Sequence, residues 1–199
     1  MRGTPRWRLA ASDANLMFPH AAGTFSCALN APITEEDTPH LYMLLRRTLT
    51  DVGLSTYTAK NHYSRTRPFV LNKEPICTPD EKTKLEKDGS YPSGHTAIGW
   101  AWALILCEIS PEHADALLAR GRAFGESRNV CNVHWCSDVI EGRFMGAATV
   151  ARLHADPTFR ADLEASKAEL AAVRAKSLKP TRDCNVEVSA MALPPSLAP

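Results

Sequence analysis

The stretch Ser90-Tyr91-Pro92-Ser93-Gly94-His95-Thr96-Ala97-Ile98-Gly99-Trp100 joins a turn to a long apolar run. A plain helix start needs only Ser93, whose hydroxyl can cap the first free N–H groups. Gly94 and His95 add something that a cap does not require. A glycine lets the backbone come close to a ligand, and a helix N-terminus offers unpaired N–H groups and the positive end of a dipole to an anion. His95 puts an ionisable ring beside that spot. The stretch reads as a cradle for a tetrahedral anion at the mouth of a buried helix.

Outward from the cradle the pattern is helical. The run Ala97–Ile109 contains Trp100 and Trp102 and meets a charge at Glu108. It falls short of the roughly 18 apolar residues a membrane span needs, so it reads as a core helix. Thr38-Pro39, Ser110-Pro111 and Asp156-Pro157 each place a capping residue before a proline at the first helical position. They predict helices near 39–53, 111–126 and 157–176, with further helices over 94–109 and 135–154. Residues 63–92, with Pro68, Pro75, Pro79 and Pro92, read as a long functional loop. No alternating strand pattern and no repeat is present. The expected architecture is an all-α, single-domain helical bundle over residues 1–178. Residues 179–199 lack periodicity and read as a flexible, proline-rich tail.

Bulk composition narrows the partners. At 199 residues, 44% hydrophobic and 23% charged, the chain has the make-up of one globular domain. A net charge of +1 supplies no global field toward nucleic acid or an acidic membrane, so anion binding must be local. The first residues, MRGTPRWRLAAS, carry positive charge but no apolar h-region, and no signal peptide is read there. Six cysteines (Cys27, Cys77, Cys107, Cys131, Cys136, Cys184) are compatible with disulfides, in a pairing the sequence leaves open. Cys107, inside the apolar run, reads as a buried free thiol. No four-ligand zinc spacing is seen, and no metal or other cofactor is expected.

Three clusters lie where helices end or begin, where backbone donors are free. They are KNHYSRTRPF, with Lys60 and Arg67; YPSGH at 91–95; and ESRNVCNVHWCSD, with Ser127, Arg128, His134 and Asp138. Lys60, Arg67 and Arg128 are cations that can converge on one phosphate, the arginines as bidentate forks. Ser93 and Gly94 supply the cradle. His134 and Asp138 stand four apart, where a carboxylate can fix the imidazole tautomer and leave the other nitrogen nucleophilic. His95 is then placed to be the general acid. Taken singly, each feature has a plainer reading. Ser93 is a cap, His134 and Asp138 are a surface helix pair, and the basic residues are a solvated face. Their joint occurrence, in order, is what points to phosphoryl transfer. His62 and Arg65 lie inside the first cluster but outside its fixed positions. Trp135 reads as core.

These clusters resemble the signature of the type 2 phosphatidic acid phosphatase superfamily: Lys-x6-Arg-Pro, Pro-Ser-Gly-His and Ser-Arg-x5-His-x3-Asp. Lys60, Arg67, Pro68, Pro92, Ser93, Gly94, His95, Ser127, Arg128, His134 and Asp138 occupy every fixed position. The surrounding segments RGTPRW, SCAL, KNHYSRTRPF, DGSYPSGHTAIGWAWA, GESR and HWCSD are similar to class A bacterial nonspecific acid phosphatases over residues 2–175. The resemblance implies an all-α fold and metal-independent hydrolysis of phosphomonoesters, with some members also transferring the phosphoryl group to alcohols. It implies His134 as nucleophile through a phosphohistidine, Asp138 as its orienter and His95 as acid and then base. Lys60, Arg67, Ser93, Gly94 and Arg128 would hold the phosphoryl oxygens, with phosphate or vanadate as inhibitors. It also implies a periplasmic or secreted homo-oligomer and an acidic optimum, at about pH 4.5–6.5 if two histidine roles set its limbs.

Two features depart from the family. Met1 stands directly before RGTPRW, which reads as a truncated gene product, and Cys136 replaces a larger polar residue such as Gln. That thiol can pair with Cys131 or stand near the site. Vanadium haloperoxidases share the cradle but not the class A context. A membrane lipid phosphatase is disfavoured by the lack of an apolar span, and an inactive phosphate-binding module by the intact motifs.

Overall fold

In the computed structural model, which describes residues 1–192, the chain is helical throughout and no β-strand occurs among the described residues. Helix α1 (Pro5–Asp13) follows Thr4, whose hydroxyl accepts from the Trp7 N–H. A short α2 (Ser26–Leu29) precedes α3 (Pro39–Ser55). Three short helices, α4 (Tyr57–Tyr63), α5 (Pro68–Asn72) and α6 (Lys82–Leu85), lead into α7 (Gly94–Ile109). Then come α8 (Ala114–Val130), α9 (Cys136–Leu153), α10 (Pro157–Ala175) and α11 (Cys184–Met191).

Each helix predicted from a cap-and-proline start is present. Asp156 caps α10 through its side chain, whereas Thr38 and Ser110 sit at the starts but turn their hydroxyls elsewhere. One 3₁₀ turn, Pro111–His113, precedes α8, which runs past 126 and so holds Ser127 and Arg128 in helical register. Helix α1 is missed by the sequence reading, although Thr4-Pro5 repeats the signature of Thr38-Pro39.

The core forms because α7 is apolar nearly all round, which a helix can be only when neighbours cover every face. Helices α3, α8 and α9 do so. Trp102 is fully buried and donates its indole N–H to the Leu45 carbonyl at 3.1 Å. Leu41, Leu44 and Leu45 of α3 and Phe124 of α8 fill the space around α7. Helix α9 comes closest, against Gly142 and Gly146. A Cβ on Gly142 would stand 2.6 Å from the Ser93 carbonyl, so this approach needs glycine. It brings Asp138 beneath the start of α7, where the Ser93 N–H donates to the Asp138 carbonyl at 3.0 Å.

Two parts differ from the sequence expectation. The 63–92 connection is not structureless: it holds α5, α6 and a 3₁₀ turn at Pro79–Glu81, and Cys77 is disulfide-bonded to Cys131. Paired amides of Asn72 and Asn132 add a second tie. The segment read as a flexible tail carries α11, capped by Asp183 and bonded through Cys184 to Cys27. Helix α11 also turns Glu187 inward to Arg120, 3.3 Å away. Eight residues held by one covalent bond and one buried ion pair need no strong periodicity of their own. Residues 193–199, the rest of the expected tail, lie outside the described residues.

Arg120 is wholly buried. It is bonded to Asp13 at 2.5 and 3.2 Å and lies over the rings of Phe25 and Phe124. Asp13 also accepts from Ser127 Oγ at 2.7 Å, fixing the turn of α8 that precedes Arg128.

Candidate active site

The start of α7, the end of α8, helix α4 and the residues just before α5 and α9 meet at a cavity of about 180 Å³. Lys60, Arg67, Gly94, His95, Arg128 and His134 line it. Six of the eight predicted site residues therefore share one wall. Ser93 and Asp138, both fully buried, stand behind it.

Pro68 sets Arg67. Its ring disfavours a helical conformation in the preceding residue, and Arg67 is extended (φ −75°, ψ 151°) at the start of α5. The guanidinium thereby spans the cavity floor. Nε donates to the Leu85 and Asp88 carbonyls at 2.9 and 3.0 Å, and Nη1 to the Val133 carbonyl at 3.0 Å. Nη1 also lies 3.1 Å from His134 Nε2, and Nη2 donates to Asp88 Oδ2 at 2.8 Å. Lys60, in the last turn of α4, donates to the Gly89 carbonyl at 2.7 Å. Burial brings its pKa down to about 8, with Asp88 acting in the opposite direction.

Arg128 differs from both. It is 1% exposed, and its Nε and Nη1 have no hydrogen-bond partner among the described residues. Burial lowers its pKa to about 10. A buried donor without an acceptor is costly to the fold, and here it faces a cavity already lined by two other cations.

His134 sits between Arg67 and Asp138. A guanidinium can only donate, so Nε2 is an acceptor and Nδ1 carries the proton toward Asp138 Oδ2, 3.4 Å away. Desolvation drives the His134 pKa down. The hydrogen bond to Asp138 resists this, while Arg67, Arg128 and Lys60 add to it. The ring is thus neutral, with its Nε2 lone pair taken up by Arg67 at the cavity wall. For Asp138, burial works against the charge, but the bonds from His134 and from the Trp135 N–H at 2.8 Å prevail and hold the carboxyl below its usual range.

His95 Nε2 lies 3.0 Å from the Ala14 carbonyl, which can only accept, so in the neutral ring Nδ1 is the free nitrogen. Burial pushes this ring well below the ordinary histidine range. Arg128 acts in the same direction, and the bond to Ala14 opposes them. Ser93 is a helix cap: its Oγ accepts from the Thr96 N–H at 3.2 Å. Its own N–H goes to Asp138, and the N–H groups of Gly94 and His95, at the start of α7, have no protein partner among the described residues. A Cβ on Gly94 would meet only Thr56 Oγ1, at 3.5 Å, so the missing side chain keeps the cavity clear and is not required by packing.

Of the residues flagged beside the motifs, His62 packs edge to face on Tyr63 and does not line the cavity. Arg65 lies outside the wall and donates to Asp138 Oδ1 at 2.8 Å and to Ser137 Oγ at 2.7 Å. Trp135 is only half-buried. Its indole N–H donates to the Thr66 carbonyl at 2.9 Å and its ring lies under Arg65, so it ties two motifs together and is not plain core. Cys136 is a free, exposed thiol, and Cys131 is bonded to Cys77. The sequence reading missed Asp88 and the rim residues Leu16, Tyr57 and Leu85. Asp88 lies four residues before Pro92, inside DGSYPSGH, and that nearness was the one available signal.

A family model for the PAP2 superfamily matches residues 39–161. The chain is 42% identical over 191 residues to an acid phosphatase of Zymomonas mobilis subsp. mobilis, covering 96% of this chain and 72% of that protein. It is 45% identical over 175 residues to a non-specific acid phosphatase of Providencia stuartii, covering 87% and 71%. It is also 45% identical over 171 residues to the non-specific acid phosphatase of Salmonella typhimurium, covering 85% and 68%.

Proposed function

The chain belongs to the PAP2 superfamily and is an acid phosphatase, and on that premise we propose that it hydrolyses phosphomonoesters through a phosphohistidine at His134. The observation that carries the reading is the buried Arg128, two of whose donors lack a partner among the described residues, on the wall of the same cavity as His134.

The chemistry follows from the geometry. Arg128, Lys60 and the N–H groups of Gly94 and His95 hold the phosphoryl oxygens and offset the charge that develops on them. Arg67 turns its Nη1 from His134 to the phosphoryl group, freeing the lone pair. Nε2 attacks phosphorus, the P–N bond forms as the P–O bond to the alcohol breaks, and Asp138 stabilises the imidazolium character of His134. His95, protonated at Nδ1, gives that proton to the departing oxygen. It then takes one from the water that cleaves the P–N bond, returning His134 and releasing phosphate. An alcohol in place of that water would give phosphotransfer. Guanidinium and ammonium groups do the charge stabilisation here, which supports a reaction without a metal.

Two disulfides fit an oxidising compartment, and no described helix is long and apolar enough to cross a membrane. The disulfides support a periplasmic or secreted location.

The test is p-nitrophenyl phosphate turnover in EDTA, with acid-quenched enzyme searched for phosphohistidine. Acid-optimal turnover and a phosphoryl group trapped on His134 are the expected result. Turnover that persists in His134→Ala, or that EDTA abolishes and a divalent ion restores, overturns the mechanism.

A further inference from the structure

The cation cluster contains one carboxylate. Asp88 Oδ2 lies 2.8 Å from Arg67 Nη2 and 3.7 Å from Lys60 Nζ, on the cavity wall. That is where a phosphoryl oxygen would reach the same two cations. The groups around it are Lys60 on α4, Arg67 before α5, Glu81 and Lys84 near α6, His95 on α7, Arg128 on α8 and His134 before α9. Glu81, the other acid of the wall, is taken up by the Thr78 hydroxyl at 2.8 Å. Asp88 is 40% exposed at its side chain, and its Oδ1 has no protein partner among the described residues.

An ionised carboxylate accepts hydrogen bonds and donates none. Against a fully ionised phosphoryl group it would set oxygen against oxygen with like charge. Against a singly charged one it finds an O–H to accept from. We infer that Asp88 reads the protonation state of the bound group, accepting a hydrogen bond from a protonated phosphoryl oxygen and disfavouring the dianion. Asp88 is thus a specificity residue for monoanionic phosphomonoesters, and the inference rests on the phosphomonoester reading of the same cavity. Selection of this form also suits His95, which is neutral in the free site. A monoanionic ester brings a proton that can charge His95 Nδ1 before the P–O bond breaks.

The experiment compares two tetrahedral anions at one pH, so that the titration of the protein cancels. At about pH 5 inorganic phosphate is singly charged and protonated, whereas sulfate is doubly charged and has no proton. Calorimetric affinities for both are measured on the wild-type chain and on Asp88→Asn, with thermal melts to confirm folding and Asp88→Ala as second variant. The wild type should prefer phosphate. The preference should shrink by about tenfold in both variants, as expected when one hydrogen bond to a charged group is exchanged for repulsion at a half-exposed site. An unchanged preference, or equal weakening of both anions, overturns the inference and makes Asp88 a mere support for Arg67 and Lys60. Failure of the wild type to bind either anion overturns the phosphate site itself. Turnover of p-nitrophenyl phosphate by the wild type is read separately and decides the phosphatase reading alone.

Discussion

Arg65 and His134 hold opposite oxygens of one carboxylate. Arg65 Nη1 donates to Asp138 Oδ1 at 2.8 Å, while Oδ2 faces His134 Nδ1 at 3.4 Å and takes the Trp135 N–H at 2.8 Å. The carboxylate is therefore fixed in rotation and kept ionised from its far side, so it can orient His134 without taking its proton. Arg65 acts through Asp138 and does not reach the cavity, which makes it a positioning residue. Arg65→Met should lower kcat by about 10-fold to 100-fold, the usual cost of losing such a partner, with KM little changed. Arg65→Lys should recover part of the loss. Equal rises in KM, or no rescue by lysine, would show that Arg65 touches substrate or serves only the fold.

Arg128 sets activity against stability. Its buried guanidinium lacks partners for two donors among the described residues, and an apolar side chain of similar length would remove that desolvation cost. Arg128→Met should cut kcat/KM by about 100-fold or more while melting at a higher temperature than wild type. A lower melting temperature would mean that the unpartnered donors do not burden the fold.

The motif residues were legible because their roles are local. Pro68 dictates the extended Arg67, Ser93 caps α7, and four-residue spacing brings His134 to Asp138. Helices with a proline start were equally plain, and α1 would have been found by applying the same rule to Thr4-Pro5. What sequence could not show is set across long separations. Cys27 meets Cys184, Asp13 meets Arg120, and Arg65 crosses 73 residues to Asp138. Nothing in the neighbours of Asp88 says that its side chain turns back to Lys60 and Arg67. The same holds for α11, which is short and depends on a disulfide and on Glu187.

The two histidines predict the response of the empty protein to acid. Burial holds the pKa values of His95 and His134 below the ordinary 6.5. Below that value the unfolded chain binds protons that the folded chain refuses, so stability falls as pH drops. The slope is up to about 1.4 kcal/mol per pH unit for each ring. A bound phosphate favours protonation and should lessen this fall. Melting curves between about pH 7 and pH 5 should fall without phosphate and fall less with it. His95→Asn should flatten the ligand-free slope. A melting temperature that rises toward pH 5 without phosphate would contradict the burial of neutral rings.

Two disulfides tie distant parts of the chain together, one of them close to the site. The Cys77–Cys131 bond closes a separation of 54 residues and anchors the turn that leads into His134, while Cys27–Cys184 closes 157 and holds α11 on α1. Each should stabilise the fold by about 2–4 kcal/mol, but their effects on activity should differ. Cys77→Ser with Cys131→Ser frees the segment three residues from His134, so kcat should fall along with the melting temperature. Cys27→Ser with Cys184→Ser releases Glu187 from Arg120, yet Asp13 still pairs with that arginine and still holds Ser127. Stability should drop there, while kcat measured well below the melting temperature should stay within about threefold of wild type, because the groups that face phosphate keep their own supports. If the second pair of substitutions costs as much activity as the first, α11 reaches the cavity through the Arg120–Asp13–Ser127 chain, and the C-terminal helix belongs to the positioning of Arg128.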